Sequence, residues 1–90
     1  MYKIVRPQNY QKKERKFLKK HPELISQYTK TLKVLSLNPK PPSLRLHEIK
    51  QKGCHSVSIN MQYRILLTLK MLDNGDIVLI SLGDHDVYRH

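Results

Sequence analysis

Ninety residues carry 17 Lys and Arg against 7 Asp and Glu, a formal net charge of +10. That length suits one domain (residues 1–90) with one modest core, and a composition 39% hydrophobic and 27% charged argues against a disordered chain. No apolar run approaches the roughly 20 residues of a membrane-spanning helix, and a single cysteine, Cys54, excludes an intrachain disulfide.

The basic excess is uneven. Residues 1–50 hold 13 bases and 3 acids, whereas residues 51–90 hold 4 of each, so the whole surplus lies in the first half. A field of that sign favours a polyanion: RNA, DNA or an acidic protein. A merely solubilising surface is the plainer alternative. The opening stretch, MYKIVRPQNY, lacks the apolar core of a secretory leader, so the expected compartment is the cytoplasm, with no membrane partner.

In chain order, Tyr2 to Val5 is a short strand candidate, ended by Arg6-Pro7. Asn9 is placed to cap a first helix running to about Lys20. Tyr10, Phe17 and Leu18, at i, i+7 and i+8, give that helix a narrow apolar stripe. Lys12, Lys13, Arg15, Lys16, Lys19 and Lys20 occupy the rest, relieved only by Glu14. Such a face is a candidate phosphate-docking surface, although most charge runs are simply solvated.

His21-Pro22 breaks the helix and Pro22 suits the first turn of the next. There, Leu24, Ile25, Tyr28, Leu32 and Leu35 recur at spacings of three and four, predicting an amphipathic helix that ends near Leu37. Lys40 to Ser43 is an extended connector, residues 44–49 alternate weakly, and Gly53 marks a turn or bulge. From Cys54 to Asn60 the alternation is clean, with His55, Val57 and Ile59 on one side. After a tight turn at Asn60-Met61-Gln62, the strand from Tyr63 puts Ile65, Leu67 and Leu69 on one face and Arg64, Leu66, Thr68 and Lys70 on the other. Asn74-Gly75 is a hairpin signal. Ile77 to Leu82 is apolar on both faces, which predicts an inner strand. The expected architecture is α+β, in the order β-α-α-β-β-β: an antiparallel sheet with a helical hairpin packed on one face and the other face partly open.

Arg64 draws attention first. An arginine on a strand otherwise made of Ile, Leu, Thr and Met has to meet an anion or reach solvent. A pairing with Asp84 or Asp86 is the structural alternative to a guanidinium that grips a phosphate. His85 follows the last strand; a histidine, which in general titrates near neutrality, can protonate a departing oxygen. Strand ends also carry polar residues for no catalytic reason. Tyr88 can stack on a base or assist proton transfer, or equally pack over the sheet edge. His47 is a candidate base or phosphate contact, and His55 reads as a satisfied, half-buried histidine. Adjacent Cys54 and His55 point to opposite faces and no paired ligand spacing exists, so neither a metal site nor a cofactor is expected. Arg45, Lys50 and Lys52 extend the basic set available to RNA.

The succession LHEIK, a turn glycine, SVSIN, QYRILL and IVLISLGDHDVY resembles the RelE/ParE superfamily of toxins from bacterial type II toxin–antitoxin systems. The likeness spans nearly the whole chain in size and element order and is most specific from Leu46 to Tyr88. It implies a RelE-like fold and, for the RelE, YoeB and YafQ branches, cleavage of mRNA in the A site of the 70S ribosome. There the ribose 2′-oxygen attacks the adjacent phosphate without a metal. By the same likeness Arg64 in QYRILL matches a phosphate-stabilising arginine. His85 in GDHDVY matches the C-terminal histidine of YafQ-like members, a general acid. His47 matches an upstream histidine, Tyr88 stands near a terminal aromatic, and the basic first helix lies against ribosomal RNA. The sequence departs from the YafQ pattern at Asn60 and Tyr63, where that branch carries a histidine and an aspartate. An acidic cognate antitoxin is implied as partner. Two alternatives stand beside the nuclease: a ParE-like inhibitor of DNA gyrase, and a non-catalytic basic RNA- or ribosome-binding module.

Overall fold

The computed structural model describes residues 2–38, 41–49, 53–70 and 75–84. Strand β1 (Lys3–Val5) leads into helix α1 (Gln8–Lys20) and, after a 3-10 turn at Pro22–Leu24, helix α2 (Ile25–Leu37). A second 3-10 turn, Pro42–Leu44, precedes four strands: β2 (His47–Ile49), β3 (Cys54–Ser58), β4 (Tyr63–Lys70) and β5 (Asp76–Asp84). The sheet order is β1-β5-β4-β3-β2. The α+β class and the helical pair packed on a sheet therefore hold.

Two features refine the expectation. The sheet is mixed, because β1 pairs parallel to β5 while every other neighbour is antiparallel. That contact joins the two ends of the chain, and no local pattern encodes it. The weakly alternating stretch near His47 also contributes a short edge strand of its own, pairing His47 with Ser56 and Ile49 with Cys54.

Local chemistry explains most boundaries. Pro7, not Asn9, stands at the start of α1, and no side chain caps that end; Asn9 lies inside the first turn. The helix stops where Pro22 follows His21 and opens the 3-10 turn. Asn60 builds the β3–β4 turn, its Oδ1 accepting the backbone N–H of Gln62 at 2.9 Å and of Tyr63 at 2.8 Å. Gly53 and Gly75 both take positive φ, +62° and +76°, which glycine adopts without a Cβ clash. The turn residues 71–74 lie outside the described residues, but β4 and β5 pair as far as Lys70 opposite Asp76, as the hairpin signal requires.

The core lies between the helices and one sheet face. Tyr10, Tyr28 and Leu35 meet Val57, Ile59, Ile65, Leu67, Ile77, Leu79 and Leu82, all buried. The spacing 77, 79, 82 breaks strict alternation. A bulge explains it: the partner of Leu66 is Ser81 and that of Leu67 is Leu79, so Ile80 is the extra residue. The irregularity returns Leu82 to the core face opposite Ile65. On α2, Ile25 is exposed and Thr31 takes the inward place, giving its hydroxyl to the Gln27 carbonyl at 2.8 Å. Among the described residues no helix is long and apolar enough to cross a membrane.

Candidate active site

Alternation along β4 sends Ile65 and Leu67 toward the helices and Arg64 and Leu66 to the far side. On that far face the register brings together His47 of β2, Ser56 and Ser58 of β3, and Arg64 of β4. His47 stands directly across from Ser56, and Ser58 directly across from Arg64. The Arg64 side chain leans back along the sheet, so that its Nε donates to Ser56 Oγ at 3.0 Å. One of its terminal nitrogens, Nη2, donates to the Arg45 carbonyl at 2.9 Å. The Arg64 and His47 side chains therefore flank the same serine, one from each neighbouring strand, their backbones roughly 12 Å apart at two strand spacings across and two residues along.

This face is less open than alternation alone implies. Ser56 is completely buried, and Ile49, Cys54 and Leu66 form a small buried apolar cluster beside it. Arg64 is half-buried, while His47 and Arg45 are exposed. The arginine thus emerges from an apolar floor, where its contacts with an anion are screened less than in bulk water.

Arg45 reaches its place by an unusual backbone. It is the one described non-glycine residue with positive φ, at 50°, and it closes the 3-10 turn by donating its N–H to the Pro42 carbonyl at 3.1 Å. Its carbonyl is thereby turned toward Arg64.

The helix side holds a different polar set. Glu14 belongs to the apolar stripe of α1 rather than to its basic face: it is buried, and its Oε1 accepts from Arg6 at 2.8 Å. Its Oε2 accepts the Tyr28 hydroxyl at 2.5 Å. The Tyr28 proton is thus committed, so the Tyr10 hydroxyl, 2.6 Å away, is the donor to Tyr28. Burial first, then the neighbouring Tyr10 phenol and the hydrogen bond to Glu14, push the Tyr28 phenol far above its usual range. Burial likewise raises Tyr10. The spacing from Tyr10 to Glu14, one helical turn, carried the signal for this placement.

The basic face of α1 is exposed throughout, at Lys12, Lys13, Arg15, Lys16, Lys19 and Lys20. Its last turn is pinned to the start of β4 by an aromatic group. The Phe17 ring lies 4.8 Å from His21 and 5.2 Å from Tyr63, and His21 lies 4.7 Å from Tyr63. Lys19 and Lys20 accordingly belong to the end of the molecule from which the Arg64 strand sets out.

Of the remaining expectations, His55 is half-buried on the helix side, as expected, and its buried Nδ1 finds no partner among the described residues. Cys54 and His55 do face opposite ways, and among the described residues no three His, Cys, Asp or Glu side chains converge. His85, Tyr88, Lys50 and Lys52 lie outside the described residues, as does the side chain of Lys70. Ser56 was legible only as part of an alternating strand. Its link to Arg64 needs the register of two strands.

Comparison with solved structures places this architecture. YafQ from E. coli strain BL21(DE3) superposes with a TM-score of 0.72 at 16% identity, over 94% of each chain. The E. coli DinJ–YafQ toxin–antitoxin complex matches with a TM-score of 0.75 at 16% identity, over 99% of this chain and 98% of that one. This chain has the RelE-like fold. A YoeB/ParE toxin from Agrobacterium tumefaciens gives 0.69 at 11% identity, over 92% and 98%. No family model matches the chain, and no curated protein sequence does. The resemblance drawn from the motifs thus holds in three dimensions, as a likeness of fold across almost the full length.

Proposed function

We propose that this RelE-like chain is the toxin of a type II toxin–antitoxin pair and acts as a ribosome-dependent endoribonuclease. The observation that carries the reading is Arg64, held at two nitrogens on the far face of the sheet, with His47 exposed on the other side of the same serine. In this scheme Arg64 grips the non-bridging oxygens of one phosphodiester and stabilises the charge that builds in the pentacoordinate transition state. His47 takes the proton of the ribose 2′-hydroxyl. The O2′–P bond forms as the P–O5′ bond breaks, and His85 gives its proton to the departing 5′-oxygen. The products are a 2′,3′-cyclic phosphate and a 5′-hydroxyl. Tyr88 stacks on a neighbouring base.

The six exposed cations of α1, with Arg45, Lys50 and Lys52, supply the sequence-independent attraction to ribosomal RNA. An acidic antitoxin segment lying over the same basic face would block it; that the E. coli YafQ fold has been solved with DinJ supports such a partner.

Primer extension on mRNA from cells expressing the protein tests the reading. Cuts at fixed positions within codons, lost with Arg64→Ala, are expected. Intact mRNA together with DNA damage would transfer the chain to the gyrase-directed branch. Growth inhibition that survives Arg64→Ala would leave a basic binding module.

A further inference from the structure

An arginine that must meet a phosphate in one geometry starts with a handicap, since its long stem carries many rotamers. Here two acceptors among the described residues restrain it. Ser56 Oγ takes Nε at 3.0 Å and the Arg45 carbonyl takes Nη2 at 2.9 Å. Both of these acceptors are neutral, a hydroxyl and a backbone carbonyl. Ser56 has 0% exposure, which fixes its hydroxyl by packing and withholds it from solvent. A completely buried serine beside the apolar cluster of Ile49, Cys54 and Leu66 is a costly choice for a strand unless the hydroxyl is used. The second acceptor depends on Arg45 holding positive φ, a conformation disfavoured for a side chain with a Cβ.

We propose that Ser56 is the positioning residue of Arg64: its hydroxyl holds the Nε edge so that the guanidinium is aimed before RNA arrives. The kinetic consequence rests on the nuclease reading; the geometric one does not. Pre-organisation of this kind acts on the transition state more than on binding, because the anchor sets where the charge sits and not how much there is.

Two measurements test it. In the free protein, the 15N–1H Nε resonance of Arg64 is expected to be resolved and slow to exchange with water. It should move to the fast exchange of a solvated arginine in Ser56→Ala, and be restored in Ser56→Thr, which keeps the oxygen. Ser56→Cys, close in volume but a weak acceptor, should behave like Ser56→Ala and serves if the alanine variant does not fold. In single-turnover cleavage of ribosome-bound mRNA, Ser56→Ala should slow the chemical step by about 10- to 100-fold and leave the concentration for half-maximal rate almost unchanged. In an Arg64→Ala background the same change should cost nothing further. An unaltered Arg64 Nε signal in Ser56→Ala, or an equal loss of rate in both backgrounds, would overturn the proposal. If the wild-type protein leaves mRNA intact while the Nε signals behave as expected, the nuclease reading falls and the positioning of Arg64 by Ser56 stands.

Discussion

The two faces of this sheet handle buried polarity in opposite ways. On the helix side, Arg6, Glu14, Tyr28 and Tyr10 satisfy one another in a linear chain that ties the β1–α1 connection, α1 and α2 together. On the far side, the Ser56 hydroxyl and the Arg45 carbonyl converge on a single guanidinium. The first arrangement spends its hydrogen bonds on holding elements in place. The second spends them on aiming a charge. Neighbouring residues on one strand, Arg64 and Ile65, thus belong to different problems, and alternation alone separates them.

The contrast can be broken residue by residue. Arg64→Ala should lower mRNA cleavage by about 10²- to 10³-fold, the usual scale for removing a transition-state charge donor, while the thermal midpoint stays close to wild type. Ile65→Ala, one residue on and with 0% exposure, should do the reverse. A cost of about 2–5 kcal/mol in denaturant unfolding is expected, from lost transfer energy and the cavity left behind. Should Arg64→Ala unfold the domain as readily as Ile65→Ala, the division between the faces is wrong.

Glu14→Gln probes the helix-side network itself. It keeps the shape but leaves Arg6 facing a neutral amide and weakens the acceptor of Tyr28, for a loss of about 2 kcal/mol in chemical denaturation. The tyrosines add a pH signature. Burial raises both phenols above the ordinary value of 10.0, so the folded state keeps protons that the unfolded chain gives up. The stability they contribute is complete below about pH 10 and is lost as pH rises beyond it. Melting curves between pH 8 and pH 11 should show this fall, and a Tyr10→Phe, Tyr28→Phe double variant should flatten it. At Arg45 the effect is smallest: Arg45→Val should cost about 1–2 kcal/mol through its disfavoured φ, whereas Arg45→Gly should leave stability nearly unchanged. Equal stability of the two would show that the left-handed turn is not needed.

Much of this was readable along the chain, and the reasons differ by element. Periodicity exposed the helical pair and the inward faces of β3 and β4, because burial of one face repeats at 3.6 or 2 residues. Breakers did the rest at Pro22, at Asn60 and at the two positive-φ glycines. Arg64 stood out because a guanidinium on an apolar strand needs a partner. Glu14 was misplaced among the surface charges, since a carboxylate on a buried stripe is intelligible only once Arg6 and Tyr28 are seen to meet it. Ile80 hid the bulge, as an apolar residue fits either face of an apolar strand.

Sequence by itself determined which residues seek burial, where the chain turns, and that the positive charge gathers on the first helix, for these follow from side-chain chemistry and local backbone preference. Only the tertiary structure decided the parallel pairing of β1 with β5, the anchoring of Arg64 on Ser56 and Arg45, and the placing of His47 across that serine. Each joins residues far apart in the chain through strand register, and register is settled by the packing of the whole sheet.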